Sequence, residues 1–373
     1  MEKRSILIDL RYLAYLNNGF GQLALNYGNY FKDNPEKIQD LDITLLVPKE
    51  YINKFGNNIK YLEYKRNYKV YPFLLPHYDI WHSITQQVKT ISLHSNTVRI
   101  ISVHDLNFLY ERGTAKAKRK LKRQQAILDI ADIITAISYF TISELEQHID
   151  LKGKTVLLNY VGKRSIADDE AVRPESIDSS RKFFFTIGQV LEKKNFHVLL
   201  DMMKLMPAYN LYISGDNTFE YAKYIETRIA QEQICNVFLT GPISAAEKVW
   251  MYRNCEAFLF PSKFEGFGLP LIEAMLFGKP VFSSRYTSLP EVGNKYAFFW
   301  DNFDAKHMKE VVEKNLNRFY EDTSFIEQQV EYANSYTLER HMGAFLDLYR
   351  TVPLKRSKNP FNAIYNYIKF LQS

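Results

Sequence analysis

The order of secondary-structure elements that recurs along the chain is clearest in residues 257–277, Ala257-Phe-Leu-Phe-Pro-Ser-Lys-Phe-Glu-Gly-Phe-Gly-Leu-Pro-Leu-Ile-Glu-Ala-Met-Leu-Phe277. The first four are an apolar run that predicts a buried strand. Two glycines then open a loop, and Pro270 suits the start of a helix because its fixed φ fits there. Gly278 ends this predicted helix, and Pro280–Ser284 is the next strand. The stretch therefore predicts strand, glycine loop, helix and strand.

The loop and the first helical turn of this stretch predict an anion site, because backbone N–H groups and the helix dipole converge there. Two acids, Glu265 and Glu273, flank it. Carboxylates repel a bare phosphate, but they accept hydrogen bonds from sugar hydroxyls, so a nucleotide sugar fits both features. Glycine loops before helices also occur without ligands, and acids near a helix start favour the dipole on their own. Both interpretations stay open on this stretch alone.

Length and composition predict a globular protein of about two domains, since 373 residues exceed one usual domain. The net charge of +6 is too small to predict a nucleic-acid partner. The two cysteines form no metal-type pair and favour a reducing, cytoplasmic compartment. Asp9 interrupts any signal-peptide apolar region, and no apolar run approaches the roughly 18 residues of a membrane span.

Strands alternate with helices in both halves, which predicts an α/β fold of two Rossmann-like, doubly wound parallel-sheet domains facing an interdomain cleft. We expect an N-terminal domain over residues 1–165 and a polar, aperiodic linker over residues 166–181. A C-terminal domain over residues 182–350 and a C-terminal helix within residues 351–373 complete this division.

Ligands of such sheets lie beyond the carboxyl ends of the strands, where the first half places several candidate residues. Gly19 and Gly21 follow the first strand in a loop that we expect to approach a ligand, ahead of a helix from Leu23. His82 and His104 each end a strand and are candidate hydroxyl ligands or proton acceptors, or else they bond to their own loops. The spacing around Gly19 matches a dinucleotide fingerprint, but it stands too far from its strand to predict an NAD site.

A second phosphate site is predicted where Gly188, Lys193 and Lys194 separate a strand from a helix. Simple solvation of the two lysines is the alternative. A basic run over residues 116–123 is either a solvated helix face or a patch for an anionic surface. Residues 360–371 predict an amphipathic helix that packs on the first domain or lies on a membrane.

The second half resembles the retaining glycosyltransferases of family 4, glycosyl transferases group 1, which have the GT-B architecture. It is similar in particular to O-antigen and capsule mannosyltransferases. The resemblance is carried in order over about residues 183–300 by Gly188 to Asn195, Gly241, Phe260 to Ser262, Glu265 to Ala274, Gly278 to Val281 and Ser288 to Val292. In the first half it is thinner and is carried by Gly19 to Gly21, Val103 to Leu106, Ser138 and Asn159.

The resemblance implies catalytic roles for Glu265, Lys194 and His104: donor-sugar binding, neutralisation of the leaving diphosphate and contact with sugar hydroxyls. It also implies that Glu273 binds the ribose. The nucleotide-sugar set implied as a whole is Gly19, Gly21, Gly188, Lys193, Lys194, Ile243, Glu265, Gly266, Phe267, Gly268, Leu269 and Glu273. Many relatives carry arginine where this chain has Gln189, and Lys193 is the candidate replacement. No metal and no cofactor is implied, and the donor is a GDP- or UDP-sugar.

The implied reaction moves a hexose, with mannose favoured, to a hydroxyl of a glycan or lipid-linked acceptor, with retention at the anomeric carbon. It belongs to cell-surface polysaccharide or lipopolysaccharide synthesis at the inner face of the membrane, with peripheral contact through residues 116–123 and 360–371. A sugar-nucleotide epimerase is the alternative enzyme, although it lacks this ordered motif set. A transferase-like scaffold without activity is the alternative outside enzymology.

Overall fold

The computed structural model describes residues 3–355 apart from residues 17, 112, 165, 167, 168 and 179. The chain forms two compact units. The first unit runs up to Arg164 and resumes at Thr337, and the second unit comprises the residues between them. Residues 360–371, where the sequence predicts an amphipathic helix, lie outside the described residues.

The strands, in chain order, are β1 Arg4–Asp9, β2 Leu41–Val47, β3 Lys60–Glu63, β4 Ile80–Ser83, β5 Val98–Val103, β6 Ile133–Ala136, β7 Val156–Leu158, β8 Phe183–Ile187, β9 Asn210–Ser214, β10 Val237–Gly241, β11 Ala257–Phe260, β12 Val281–Ser284 and β13 Phe298–Trp300. The helices are α1 Gly19–Asp33, α2 Phe108–Glu111, α3 Thr114–Asp129, α4 Tyr139–His148, α5 His197–Lys204, α6 Glu220–Gln231, α7 Ala245–Asn254, α8 Leu269–Leu276, α9 Leu289–Gly293, α10 Ala305–Glu321, α11 Thr323–Asn334 and α12 Leu338–Thr351. Short 3-10 turns connect several of them.

Each unit is built on one parallel sheet. The first sheet has the order β3-β2-β1-β4-β5-β6-β7 and the second has the order β10-β9-β8-β11-β12-β13. Neighbouring strands in the described part of the chain pair in parallel, for example Leu7 with Trp81 and Phe258 with Val281. Strand order reverses between β1 and β4 and between β8 and β11, and these are the points where open α/β sheets bind ligands. The prediction of two doubly wound parallel-sheet domains is confirmed.

The predicted domain boundary near residue 350 is wrong, because helix α12 belongs to the first unit. His341 bonds to Tyr27 at 2.8 Å, and Tyr349 bonds to His82 at 2.6 Å. Arg4 donates to the carbonyls of Tyr349 and of the residue after the helix at 3.0 and 2.7 Å. The chain therefore leaves the first unit, builds the second and returns to complete the first.

The predicted linker over residues 166–181 also differs from the structure. Its described part packs on the second unit: Ile177 is buried, and the Val172 N–H donates to the Ala246 carbonyl at 3.1 Å. Polar composition alone did not reveal these anchoring contacts. Among the residues described here, no helix combines the length and the hydrophobicity needed to cross a membrane.

Candidate functional site

The switch point of the second sheet brings together two of the predicted site residues, Lys194 and Glu265. Lys194 follows β8 and Glu265 follows β11, the two strands between which the order reverses. Their charged atoms Nζ and Oε1 are 2.5 Å apart, and the side chains are 13% and 15% exposed. The Lys194 ammonium also lies 4.9 Å from the centre of the Phe260 ring. The ion pair is partly desolvated, and the attraction between its charges is therefore stronger than it would be at an open surface.

The segment after β8 holds Lys194 in place through an unusual backbone. Gly188 has φ +155°, and Gly215 has φ +129°, so both lie where side chains are disfavoured. A Cβ on Gly215 would stand 2.0 Å from the Gly188 carbonyl oxygen, so that close approach requires glycine. The 3-10 turn that carries Lys194 ends at buried Asn195 in the left-handed region, with φ 59°. The Lys193 carbonyl accepts bonds from the loop after β11, which ties the two segments together.

The loop after β11 is braced by the residues that precede and cap helix α9. Thr287 Oγ1 accepts from the Glu265 N–H at 3.1 Å, and Ser288 Oγ donates to the carbonyls of Glu265 and Phe267 at 3.1 and 2.9 Å. Gly268 has φ +107°, and a Cβ there would meet Leu289 at 2.7 Å. The loop is therefore rigid up to the first residue of α8.

Helix α8 begins at Leu269 and confirms the predicted strand, glycine loop and helix, with Gly266 and Phe267 in the loop. Gly278 has φ 59°, as expected for a residue that ends a helix. Glu273 lies in the second turn of the helix rather than in the first, because the helix starts at residue 269. Its carboxylate is close to the helix start but is not an N-terminal cap.

Glu273 is held by two residues that the sequence reasoning missed, Lys248 and Tyr252. Tyr252 Oη donates to Oε2 at 2.9 Å, and Lys248 Nζ lies 3.2 Å from Oε1. Burial and the Glu273 charge raise the pKa of Tyr252 well above its ordinary value, so this phenol remains a donor. Lys248 and Tyr252 are four residues apart on α7, a spacing that places them on one helix face and could have revealed the pair.

Ile243 is half-buried in the connection between β10 and α7. The connection is rigid at its end, because Ser244 and Glu247 form a reciprocal capping box at the start of α7. Gln189 lies in the segment after β8, half-buried, four residues ahead of Lys193. The replacement of the usual arginine by Lys193 stays a prediction.

His104 directly follows β5 in the first unit and is buried. Its Nε2 lies 2.8 Å from the Ile84 carbonyl oxygen, and since a carbonyl only accepts, Nε2 carries the proton. Burial lowers the pKa of His104 to about 4, so near neutral pH the ring is uncharged and Nδ1 is an acceptor. The Phe20 ring packs edge-on at 5.0 Å and fixes the imidazole plane. Such a nitrogen suits a hydroxyl donor.

The predicted loop around Gly19 and Gly21 is the first turn of helix α1, which starts four residues earlier than expected. Asn18 caps it, accepting from the Gly21 N–H at 2.9 Å. A Cβ on Gly21 would stand 2.1 Å from the Tyr15 carbonyl oxygen. The absence of a side chain at Gly21 is therefore explained by packing within the chain, whereas Gly19 has open space around its Cα.

His82 is a structural histidine, and its alternative interpretation as a ligand is wrong. The ring is fully buried between Tyr349 Oη at 2.6 Å and Ser102 Oγ at 2.9 Å, so both nitrogens are used inside the first unit. Burial, with the nearby His341 and His104, lowers its pKa to about 3. A group of three or more His, Cys, Asp or Glu side chains able to hold a metal ion is not found in the described part of the chain.

Comparison with known proteins gives one family and several relatives. The family described as Glycosyl transferases group 1 matches residues 168–333. The serotype-specific mannosyltransferase WbdA of Escherichia coli is 27% identical over 249 residues, which cover 61% of this chain and 30% of WbdA. The O-antigen chain mannosyltransferase B of Escherichia coli is 26% identical over 61% of this chain and 60% of its own length. The chain thus spans about a third of the length of WbdA.

Solved structures extend the similarity to the first unit. Sucrose-phosphate synthase from Thermosynechococcus elongatus matches 93% of this chain and 98% of its own with a TM-score of 0.70 at 16% identity. Anabaena HepE in complex with UDP-glucose matches 94% of this chain and all of its own with a TM-score of 0.70 at 14% identity. At such identities the likeness shows the fold, which is GT-B.

Proposed function

We propose that the chain is a glycosyltransferase, since residues 168–333 match the family described as Glycosyl transferases group 1. It transfers a hexose from a nucleoside diphosphate sugar to a hydroxyl of a glycan or lipid-linked acceptor in cell-surface polysaccharide synthesis. The observation that carries the proposal is the Lys194–Glu265 ion pair at the switch point of the second sheet. The reaction separates a diphosphate from a sugar, and this pair offers one group suited to each.

Lys194 neutralises the leaving diphosphate in this proposal. Negative charge develops on the phosphate oxygens as the glycosidic bond breaks, and a preorganised cation stabilises it most where water is scarce. Its present partner is Glu265 at 2.5 Å, so donor binding exchanges a carboxylate for a phosphate at Nζ. Glu265 is then released to accept hydrogen bonds from the sugar hydroxyls. The backbone from Gly266 to Leu269 and the start of α8 add dipoles of the sign that phosphate needs.

Glu273 binds the ribose of the donor. Tyr252 and Lys248 contact its two carboxylate oxygens and orient them. A carboxylate is an acceptor for the vicinal hydroxyls of a ribose. His104 accepts from a substrate hydroxyl through Nδ1, as a neutral ring.

Mannose is the proposed sugar, since two relatives are mannosyltransferases by name. A GDP-sugar is the first donor to test and a UDP-sugar the second. We further propose retention at the anomeric carbon and catalysis without a metal or cofactor, since Lys194 and the helix start can carry the leaving-group charge themselves. The cationic residues 116–123 on α3 are proposed to contact the inner face of the membrane, together with residues 360–371.

The decisive test compares Lys194→Ala and Glu273→Ala with a matched control, Lys223→Ala, which removes an exposed lysine from α6. A thermal-shift screen of nucleoside diphosphates first selects the base. With the matching donor, Lys194→Ala should lower kcat by about a hundredfold or more, the scale expected for loss of one charge-stabilising group. Glu273→Ala should mainly raise the KM for the donor. Undiminished transfer by both variants would contradict the assignment, and full activity in a chelator would support metal independence.

A further inference from the structure

The segment between β3 and β4 carries an exposed apolar surface that the proposed reaction does not use. We call Val70, Tyr71, Phe73 and Leu74 the apolar tip; they are 61%, 50%, 66% and 50% exposed. Single exposed apolar side chains are common on soluble proteins, but four within five residues are a patch that marks an interaction site.

The apolar tip is held rigidly outward. Tyr68, Pro72 and Leu75 of the same segment are buried, and Tyr68 and Leu75 belong to the hydrophobic cluster that packs on the sheet. Two short 3-10 turns satisfy its backbone: the Tyr71 N–H donates to the Asn67 carbonyl at 2.7 Å, and the Leu75 N–H donates to the Pro72 carbonyl at 3.1 Å. Because these hydrogen bonds are internal, the tip can enter an apolar medium without leaving those N–H groups unpaired.

The residues that precede this tip in the sequence are rich in cationic side chains. Lys65, Arg66 and Lys69 come just before it, and no acidic residue occurs between Tyr64 and Tyr78. Their long stems can lie along apolar surface while the charges stay in water, which is how lysine and arginine behave at a lipid interface. An apolar tip with a basic collar fits the boundary between acyl chains and anionic headgroups.

The basic helix α3 lies on the same face of the first sheet as this tip. The buried residues beneath both elements belong to one hydrophobic cluster, which includes Tyr68, Leu75, Ile127 and Leu128. Six exposed cationic residues cover the outer side of α3: Lys116, Lys118, Arg119, Lys120, Lys122 and Arg123. Within the residues that the structure describes, none of these six forms an ion pair with a carboxylate, although Lys120 lies over the Phe108 ring. One face of the first sheet therefore carries both the exposed apolar tip and the six exposed cationic residues of α3.

We propose that this face is a bilayer-binding surface for anionic lipid, in which the apolar tip inserts among the headgroups and α3 contacts their negative charges. The inference deepens the membrane contact proposed above by naming an inserting segment, and it does not depend on transfer activity. A second copy of the chain is a poorer occupant, because a symmetric contact would oppose nine cationic side chains on each partner. An anionic bilayer supplies an apolar layer for the tip and negative charges for the cationic side chains.

Vesicle flotation of the full chain tests this proposal. The vesicles are phosphatidylcholine alone or phosphatidylcholine with an equal part of phosphatidylglycerol. We expect the chain to float with the anionic vesicles, and Phe73→Ser combined with Leu74→Ser to lower partitioning by about tenfold or more, given the apolar area removed. Lys118→Gln combined with Lys122→Gln should lower partitioning to the anionic vesicles by about fivefold for each charge removed. Leu205→Ser on the second unit, which removes a 39% exposed apolar side chain, should change nothing.

A fluorescent probe separates insertion from simple attraction. The emission of Phe73→Trp should shift to shorter wavelength with anionic vesicles, whereas that of Tyr224→Trp on the second unit should not. Charge variants that abolish binding while the tip variant binds like wild type would overturn insertion but leave the proposed contact through α3 intact. Absence of wild-type binding would overturn both. If sedimentation without lipid shows a dimer that the tip variant dissociates, the surface belongs to a second copy and the proposal fails. Donor hydrolysis in solution, measured on the same variants, tests the proposed reaction separately.

Discussion

Acidification should destabilise the first unit through three buried histidines. Burial lowers the pKa of His82 to about 3 and those of His104 and His341 to about 4, against an ordinary value of 6.5. The unfolded chain therefore binds these protons at a higher pH than the folded chain does. The stability that the neutral rings provide is fully present above pH 6.5 and is lost as the pH falls towards 4 and 3.

The size of the effect follows from the pKa differences. Between neutral pH and pH 5, each histidine removes about 2 kcal/mol from the free energy of unfolding, and the three together about 6 kcal/mol. This is comparable to the whole stability of an ordinary domain, about 5–15 kcal/mol. Between pH 6 and pH 5 the free energy of unfolding should fall by about 4 kcal/mol per pH unit.

Urea unfolding, followed by far-UV circular dichroism at several pH values, measures this slope. The variant His341→Gln keeps a donor for the Tyr160 carbonyl and an acceptor for Tyr27 Oη, the two partners of the ring at 2.8 Å each. It should reduce the slope by about one third, since one titrating group of three is removed. His77→Gln, at an exposed position, is the matched control. An unchanged slope in His341→Gln, or a wild-type stability that is flat from pH 7 to pH 5, would refute the reasoning.

Three further predictions concern single positions. Asn195→Ala should cost about 1 kcal/mol in the unfolding free energy of the second unit, whereas Asn195→Gly should be nearly neutral, because asparagine and glycine adopt the left-handed backbone more readily than alanine does. Equal stabilities of the two variants would contradict this cause. Gly21→Ala should cost about 1–3 kcal/mol through overpacking in thermal or urea unfolding, while Gly19→Ala, which meets no atom, should be tolerated or slightly stabilising. Tyr252→Phe removes a buried hydrogen-bond donor to Glu273 and should lower the free energy of unfolding by about 1–3 kcal/mol. It should also weaken nucleotide binding, measured by isothermal titration. Wild-type affinity would show that this hydrogen bond does not orient the carboxylate.

The sheets and the order of the elements were predictable because the signals are local. The apolar run Ala257–Phe260 has the length and composition of a short buried strand, which is what it forms. Gly278 ends helix α8 in the left-handed conformation that the sequence predicts. The glycines at 19 and 21 misled the prediction because glycine is a poor helix former. The helical turn that contains them is stabilised by the Asn18 cap and by the close approach of Gly21 to Tyr15, which the sequence pattern does not reveal.

Sequence could not separate His82 from His104, since both stand at strand ends in similar settings. The difference comes from α12, more than 250 positions along the chain, whose Tyr349 occupies the second nitrogen of His82. The same distance explains why α12 was given to the wrong domain. In the second unit, the Lys194–Glu265 ion pair joins two segments that were predicted separately as phosphate sites.

The return of α12 to the first unit has a consequence for synthesis on the ribosome. The second unit is continuous in sequence, so strands β8 to β13 are synthesised before helix α12 of the first unit. Until then, the side of the first sheet around His82 lacks Phe345 and Tyr349, which pack against that ring. The first part of the chain to be translated is therefore the last to finish folding. A nascent chain stalled before Thr337 should present a protease-resistant second unit beside an unfinished first one.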